Sequence, residues 1–188
     1  MFMRNTLALL FIIFSSKGFS QIDKNQWLIG GNASFSYSQS KELKISEWQI
    51  SPAAGYFFMD KFAGGLRLSY GSQTRTWSSE KDRNVSVSFG PFLRYYFLPK
   101  EQKVNLFADV EYQFSRVKDK NIVSAYPSSY SYSYYEMSLM AGPAFFINEH
   151  TSLEFTFGYS YLSRGQIDTT VTNRLKMGIG LQIHLGNH

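Results

Sequence analysis

The chain of 188 residues has no cysteine. Disulfide staples, thiolate metal centres and cysteine nucleophiles are therefore excluded. It has only three histidines, at 150, 184 and 188, and no tight His/Cys/Asp grouping accompanies them. Neither a metal nor a cofactor is expected. Charged residues make up only 18% of the chain, and no basic stripe of the kind nucleic acid requires is present. After the first 20 residues, no segment approaches the roughly 18 consecutive apolar residues of a membrane-crossing helix. Gly30-Gly31 and Gly64-Gly65 precede no helix pattern, so they are not phosphate loops. They read as bends or close approaches within strands.

The N-terminus carries Arg4 without an acid, then an apolar run over 7–14, then small residues at Ser15, Ser16, Gly18 and Ser20. This is the layout of an export signal, and the run is too short for a spanning anchor. Cleavage is expected before Gln21, leaving 1–20 as signal peptide and 21–188 as one barrel domain. Removing two bases lowers the formal charge from +5 to 5 − 2 = +3.

Tyrosine (13), phenylalanine (17) and glycine (14) are abundant, a bias toward strands and turns. The dominant signal is alternation with period two, repeated eight times. Trp27, Ile29, Ala33, Phe35 and Tyr37 oppose Asn32, Ser34, Ser36 and Ser38. Trp48, Ile50, Pro52, Ala54, Tyr56 and Phe58 oppose Glu47, Gln49, Ser51, Ala53 and Gly55. The same scheme recurs from Phe62, Val85, Val104, Tyr135, Leu153 and Val171. Such alternation marks strands with one apolar and one polar face. Leu28, Phe57, Phe92, Phe107, Met140 and Phe146 break it. Short links at 59–61, 98–103 and 148–151 alternate with longer loops at 39–45, 73–84, 117–134 and 163–168. That describes an all-β, eight-stranded antiparallel up-and-down barrel, with both termini at the short-turn end.

Two barrels fit this pattern: a transmembrane one with its apolar face outward, and a soluble lipocalin-like one with it inward. On the apolar face, aromatics gather at both strand ends around an aliphatic middle. Trp27, Tyr56 and Tyr95 lie toward the short turns; Trp48, Tyr70, Tyr112, Tyr135, Tyr159 and Tyr161 lie toward the long loops. Two belts match the two interfaces of a bilayer. The opposite face is mostly Gly, Ser, Ala and Asn, with isolated charges: Glu47, Asp109, Glu111, Glu136 and Glu154 against Arg67, Arg94, Arg174 and Lys176. Small residues around sparse, nearly balanced charges suit the narrow lumen of an eight-stranded barrel, where charges must pair. The transmembrane reading is favoured, with these nine residues as a structural ion-pair network.

Three tracts carry a family resemblance. Ile50-Ser-Pro-Ala-Ala-Gly-Tyr-Phe-Phe-Met-Asp-Lys-Phe-Ala-Gly-Gly-Leu-Arg-Leu-Ser-Tyr70 resembles the second hairpin of the outer-membrane protein β-barrel domain family. Phe89-Gly-Pro-Phe-Leu-Arg-Tyr-Tyr-Phe97 and Ala141-Gly-Pro-Ala-Phe145 resemble strands ending at its other periplasmic turns. The resemblance implies eight strands in the Gram-negative outer membrane and little about activity. The last strand, with Lys176, Gly178, Leu181 and Ile183, resembles the signal read by the barrel-assembly machinery. It departs from many such barrels in ending Leu185-Gly-Asn-His188 rather than on an aromatic residue.

Chemistry is weakly represented. Asp109 and Glu111 share the lumen face of one strand, roughly 7 Å apart. A carboxylate pair can do acid/base work, but among lumen arginines an ion-pair cluster is the better expectation. Acyl-cleaving barrels place a His-Ser pair on an outward strand, and no His-x-Ser-Asn tract occurs; every histidine maps away from the outer rim. No enzyme is expected. The expected role is structural or surface interaction with a plugged lumen. A narrow pore and a lipid-acting enzyme are the alternatives. Expected partners are outer-membrane lipid and lipopolysaccharide, the assembly machinery, and an extracellular partner bound through the long loops; the charges of Lys41-Glu-Leu-Lys44 and Glu80-Lys-Asp-Arg83 read first as solvated, with bridging to lipopolysaccharide phosphates as the sharper alternative. Nucleic acid is not among them, and a monomer is expected.

Overall fold

Each alternating run becomes a strand because its two faces meet different surroundings while its backbone is satisfied by its neighbours. In a computed structural model describing residues 22–39, 43–77, 80–121, 129–163 and 171–186, the strands are β1 (Trp27–Gln39), β2 (Leu43–Met59), β3 (Phe62–Trp77), β4 (Glu80–Tyr96), β5 (Val104–Asn121), β6 (Ser129–Phe146), β7 (Thr151–Ser163) and β8 (Val171–Leu185). All neighbours pair antiparallel in chain order, and β1 pairs with β8 to close the barrel. Closure removes the free edges that an open sheet would present.

The sidedness follows the parity of the sequence. Ile29, Ile50, Leu66, Leu68, Phe89, Val110, Leu139, Phe157 and Ile179 are exposed on the outer wall, while Ser51, Arg67, Ser69, Ser88, Asp109, Ser138 and Glu154 are buried inside. A barrel that exposes its aliphatic band requires an apolar solvent. The aromatic belts also lie outward: Trp27, Trp48, Tyr70, Tyr95, Tyr112, Tyr135, Tyr159 and Tyr161 are exposed and Tyr56 half-exposed. They make cross-strand pairs, Trp27 with Tyr56 at 5.3 Å and Trp48 with Tyr70 at 5.5 Å between ring centroids. From Trp27 to Tyr37 is ten residues, about 24 Å of height at a rise of about 3.4 Å and a tilt near 45°. That equals the thickness of the apolar band in outer-membrane barrels.

The strands outrun the expected loops. Of residues 73–84, read as a loop, 73–77 continue β3 and 80–84 belong to β4, with Arg75 paired to Asp82 and Trp77 to Glu80. Most of 117–134 likewise belongs to β5 and β6, with Lys118 opposite Ser131 and Asp119 opposite Tyr130. The first long loop narrows too, since Gln39 pairs with Lys44. Apolar alternation ends where the outer wall leaves the apolar band, but ladder hydrogen bonds need no apolar face. The pairing therefore continues through charged and polar residues. The charged tract from Lys41 lies partly outside the described residues, as do the third loop's tip and most of the fourth loop.

Three prolines sit within strands of a closed sheet, where each must forfeit a hydrogen bond. Pairing lapses on one side at Ser51-Pro52, Gly90-Pro91 and Gly142-Pro143, then resumes in the same register. Two of these steps carry a glycine for a visible reason. A Cβ at Gly90 would overlap the Tyr112 carbonyl oxygen, and one at Gly142 the Phe155 carbonyl oxygen.

Candidate functional site

The enclosed space divides into a floor, a charged middle and an open vestibule. At the short-turn end, Ile22, Leu28, Phe57, Ala63, Phe92, Tyr96, Phe107 and Ala144 pack together, with Phe146 against them. His184 sits among these rings, 5.8 Å from Phe57 and 5.4 Å from Phe146. Five of the six alternation breakers thus serve this apolar floor, and the sixth, Met140, is buried higher up in the cavity lining. Ile22 was not foreseen. The segment before β1 tucks under the barrel, with Lys61 N donating to Ile22 O at 2.8 Å and Asn25 N to Phe57 O at 2.7 Å. Lys100 pairs with Asp23 at 2.9 Å outside it, which raises the lysine's proton affinity through that hydrogen bond and charge.

Above the floor runs a chain of alternating charge. Arg94, on β4, grips Asp109 of β5 with two bonds, Nε to Oδ1 at 2.7 Å and Nη2 to Oδ2 at 2.8 Å. Its Nη1 donates to Glu154 of β7 at 2.8 Å and to the Tyr96 hydroxyl at 3.1 Å. Arg67, on β3, donates to Asp109 Oδ2 at 3.0 Å and to Glu111. Lys176, on β8, pairs with Glu136 of β6 and lies 3.9 Å from Glu111. Both guanidiniums also cap aromatic faces, Arg94 over Phe107 at 4.3 Å and Arg67 over Phe92 at 4.8 Å. Forked guanidinium geometry suits such bidentate bonding, and stacking removes water from its faces.

Seven of the nine expected network residues are thereby brought together. Glu47 is not among them; it accepts from Gln73 Nε2 at 2.9 Å. Arg174 makes no ion pair among the described residues. Asp109 and Glu111 occupy one strand face; Asp109 accepts from both Arg94 and Arg67, and Glu111 accepts from Arg67 with Lys176 3.9 Å from its other oxygen. Tyr96 completes the cluster and escaped the sequence reading, although its parity with Arg94 would have placed it inside. Among the described residues no three His, Asp or Glu side chains are grouped to hold a metal ion.

Above the charges, toward the long hairpins, a cavity of about 330 Å³ opens. Gln49, Arg75, Gln113, Tyr132, Tyr134 and Arg174 line it, among others. Val117, Tyr134 and Leu162 form a small apolar cluster in its wall.

The model of the outer membrane protein beta-barrel domain family matches residues 6–188. No curated protein matches the sequence. Among solved structures, the outer membrane protein OprG from Pseudomonas aeruginosa superposes with a TM-score of 0.57 at 12% identity, covering 91% of this chain and 99% of that one. Neisserial surface protein A gives 0.49 at 15% identity, with 85% and 94% covered. Ail of Yersinia pestis gives 0.43 at 14% identity, with 87% and 99% covered. At such identities the likeness is one of fold.

Proposed function

Since the chain belongs to the outer membrane protein β-barrel domain family and is an outer-membrane barrel, we propose that it serves there as a plugged, non-catalytic barrel with a structural or surface-interaction role. Its long hairpins face the cell exterior, and its termini and short turns face the periplasm. The signal peptide over 1–20 is removed on export. Lipopolysaccharide surrounds the outer rim, and the assembly machinery inserts the folded monomer.

The observation that carries this reading is the Arg94 clamp. A fully buried guanidinium bonded to Asp109, Glu154 and Tyr96 from three other positions of the wall spans the lumen, and a layer of phenylalanines lies beneath it. Eight-stranded barrels enclose little more than their own side chains, and the clamp with the rings beneath it supports a filled lumen. The pore reading lacks a comparable observation. Purified protein in planar bilayers is expected to give no discrete current steps, while the Arg94→Ala, Glu154→Ala double variant should give small ones. Regular steps from the wild-type protein would overturn the plug.

A further inference from the structure

The eight ladders are unequal, and the weakest is the one that closes the barrel. β1 and β8 pair only from Trp27↔Leu185 to Ala33↔Ile179. Above that point β1 continues to Gln39, bonded to β2, and β8 extends up to Val171, bonded to β7. The two strands are not paired to each other there. Gly178 still lies close to β1, for a Cβ on it would sit 3.3 Å from Ala33 O. The parting begins just above.

Two further observations show that the wall is open at this seam. The cavity is lined not only by inward residues such as Asn32, Ser34 and Lys176 but also by Phe35, Leu175 and Met177, which point outward. An intact wall would separate those two sets. Moreover, Leu175 (87%), Phe35 (72%) and Met177 (68%) are the three most exposed large apolar side chains among the described residues. Each lacks a neighbour across the seam. By position on their strands they lie in the upper part of the apolar band, level with the outer leaflet.

Hydrocarbon does not tolerate unpaired backbone, since each unsatisfied N–H or C=O costs several kcal/mol there. The strand edges must therefore meet water from the vestibule or the polar part of a ligand. The lining fixes its chemistry. Arg75, opposite Asp82, and Arg174, whose charge also bears on Glu136, line the cavity in no direct ion pair among the described residues, whereas Glu111 and Glu136 are held by Arg67 and Lys176. Glu47 is the acid left, and it accepts from Gln73. Phe35, Leu175 and Met177 offer an apolar path beside these cations. A cavity near 330 Å³ is at the small end of ligand pockets, roughly 300–1,000 Å³, which suits one chain and a head rather than a diacyl lipid.

We infer that the vestibule opens sideways into the outer leaflet through the unpaired upper β1–β8 seam and binds a single-chain amphiphile with an anionic head. The head lies toward Arg174 and Arg75, and the chain leaves past Leu175 and Met177. This rests on the plugged-barrel reading for its floor alone, which makes the vestibule a blind pocket rather than a channel.

The test uses the full protein in phosphatidylcholine vesicles with a fatty acid bearing a diazirine close to its carboxylate. After illumination, mass spectrometry should find saturable labelling of lumen residues such as Gln49 and Tyr132. Excess palmitate or lysophosphatidic acid should compete, the stronger one identifying the head as carboxylate or phosphate, and a single-chain trimethylammonium amphiphile should not. A Phe35→Cys, Met177→Cys disulfide should cut lumen labelling at least tenfold, with recovery on reduction. Should that disulfide fail to form in folded protein, Met177→Cys carrying a bulky maleimide closes the seam instead. Arg174→Gln should weaken labelling several-fold. Labelling confined to outward residues would overturn the proposal, as would lumen labelling indifferent to seam closure. Conductance reports on the plug separately: current steps with intact seam-dependent labelling would remove the plug and leave the portal.

Discussion

Arg94 on β4 and Glu154 on β7 meet at 2.8 Å inside the barrel, although 60 residues separate them and β5 and β6 stand between their strands in the wall. The contact exists only in the closed barrel. Neither side chain has water to fall back on, since both are fully buried. The pair therefore ties barrel closure to charge neutralisation: an unpaired Arg94 or Glu154 would carry the desolvation penalty with no return.

Arg94→Ala is expected to destabilise the folded barrel by about 3–5 kcal/mol, because it leaves Glu154 buried with only the Tyr96 hydroxyl and removes two of the three bonds Asp109 accepts from arginine. Glu154→Gln keeps shape and an acceptor, so its cost should be smaller, about 1–3 kcal/mol. Urea unfolding in lipid vesicles, followed by tryptophan fluorescence, measures both. Equal stability of Arg94→Ala and wild type would remove the clamp from the account.

Much of this was legible in the sequence because strand parity is rigid. Once Leu68 is placed outside, Arg67 and Ser69 must be inside, and the alternation breakers Phe57, Phe92 and Phe107 then have nowhere to go but the lumen. What escaped had no local signature. Ile22 lies outside any alternating run, and only its packing under Phe57 and Tyr96 explains it. Hairpin extensions around Arg75 and Lys118 lost the apolar pattern while keeping the ladder. The partners Arg94 chooses depend on barrel stagger, a three-dimensional quantity. The short β1–β8 ladder is likewise invisible in strand lengths, because 13 and 15 residues pair over only part of their extent.

Leu68→Arg tests the sidedness. Leu68 lies on the outer wall, mid-strand, beside Phe89 of β4, so the substitution should cost about 2–4 kcal/mol, the range for arginine near a bilayer midplane. Tyr37→Arg, in the upper aromatic belt, should cost only about 0–1 kcal/mol, because depth sets the penalty. The same unfolding assay reads both. Equal penalties would contradict the placement of the band.

Gly142→Val tests the close approach of strands at a proline step. The added Cβ would collide with the Phe155 carbonyl oxygen, which is backbone and cannot rotate away. Overpacking of this kind typically costs about 1–3 kcal/mol or more. Gly64→Ala is the control, since its Cβ would press on side-chain atoms of Phe58 and Leu93, at 3.0 and 3.1 Å, and meet backbone only at an ordinary 3.7 Å, at Phe92 O. That variant should lose under about 1 kcal/mol, small adjustments being within reach of side chains. Gel mobility of unboiled samples would reveal any Gly142→Val population that fails to close.

Ile22→Ala asks whether the segment ahead of β1 belongs to the fold. Ile22 is fully buried at the short-turn end, in the same cluster as Phe57, Tyr96 and Phe107, and its carbonyl accepts from Lys61 N in the β2–β3 turn. Truncating a buried isoleucine costs about 2–5 kcal/mol where surrounding groups cannot collapse into the space. Here the neighbours are rings held by a closed wall, so little collapse is available. The loss should be local as well as global: amide exchange at Lys61 should accelerate ahead of exchange in mid-barrel strands, because the carbonyl that protects it is no longer held in place. Hydrogen exchange in detergent micelles separates this from general destabilisation. Uniform acceleration across all strands would place Ile22 in the common core, and no acceleration anywhere would detach it from the barrel.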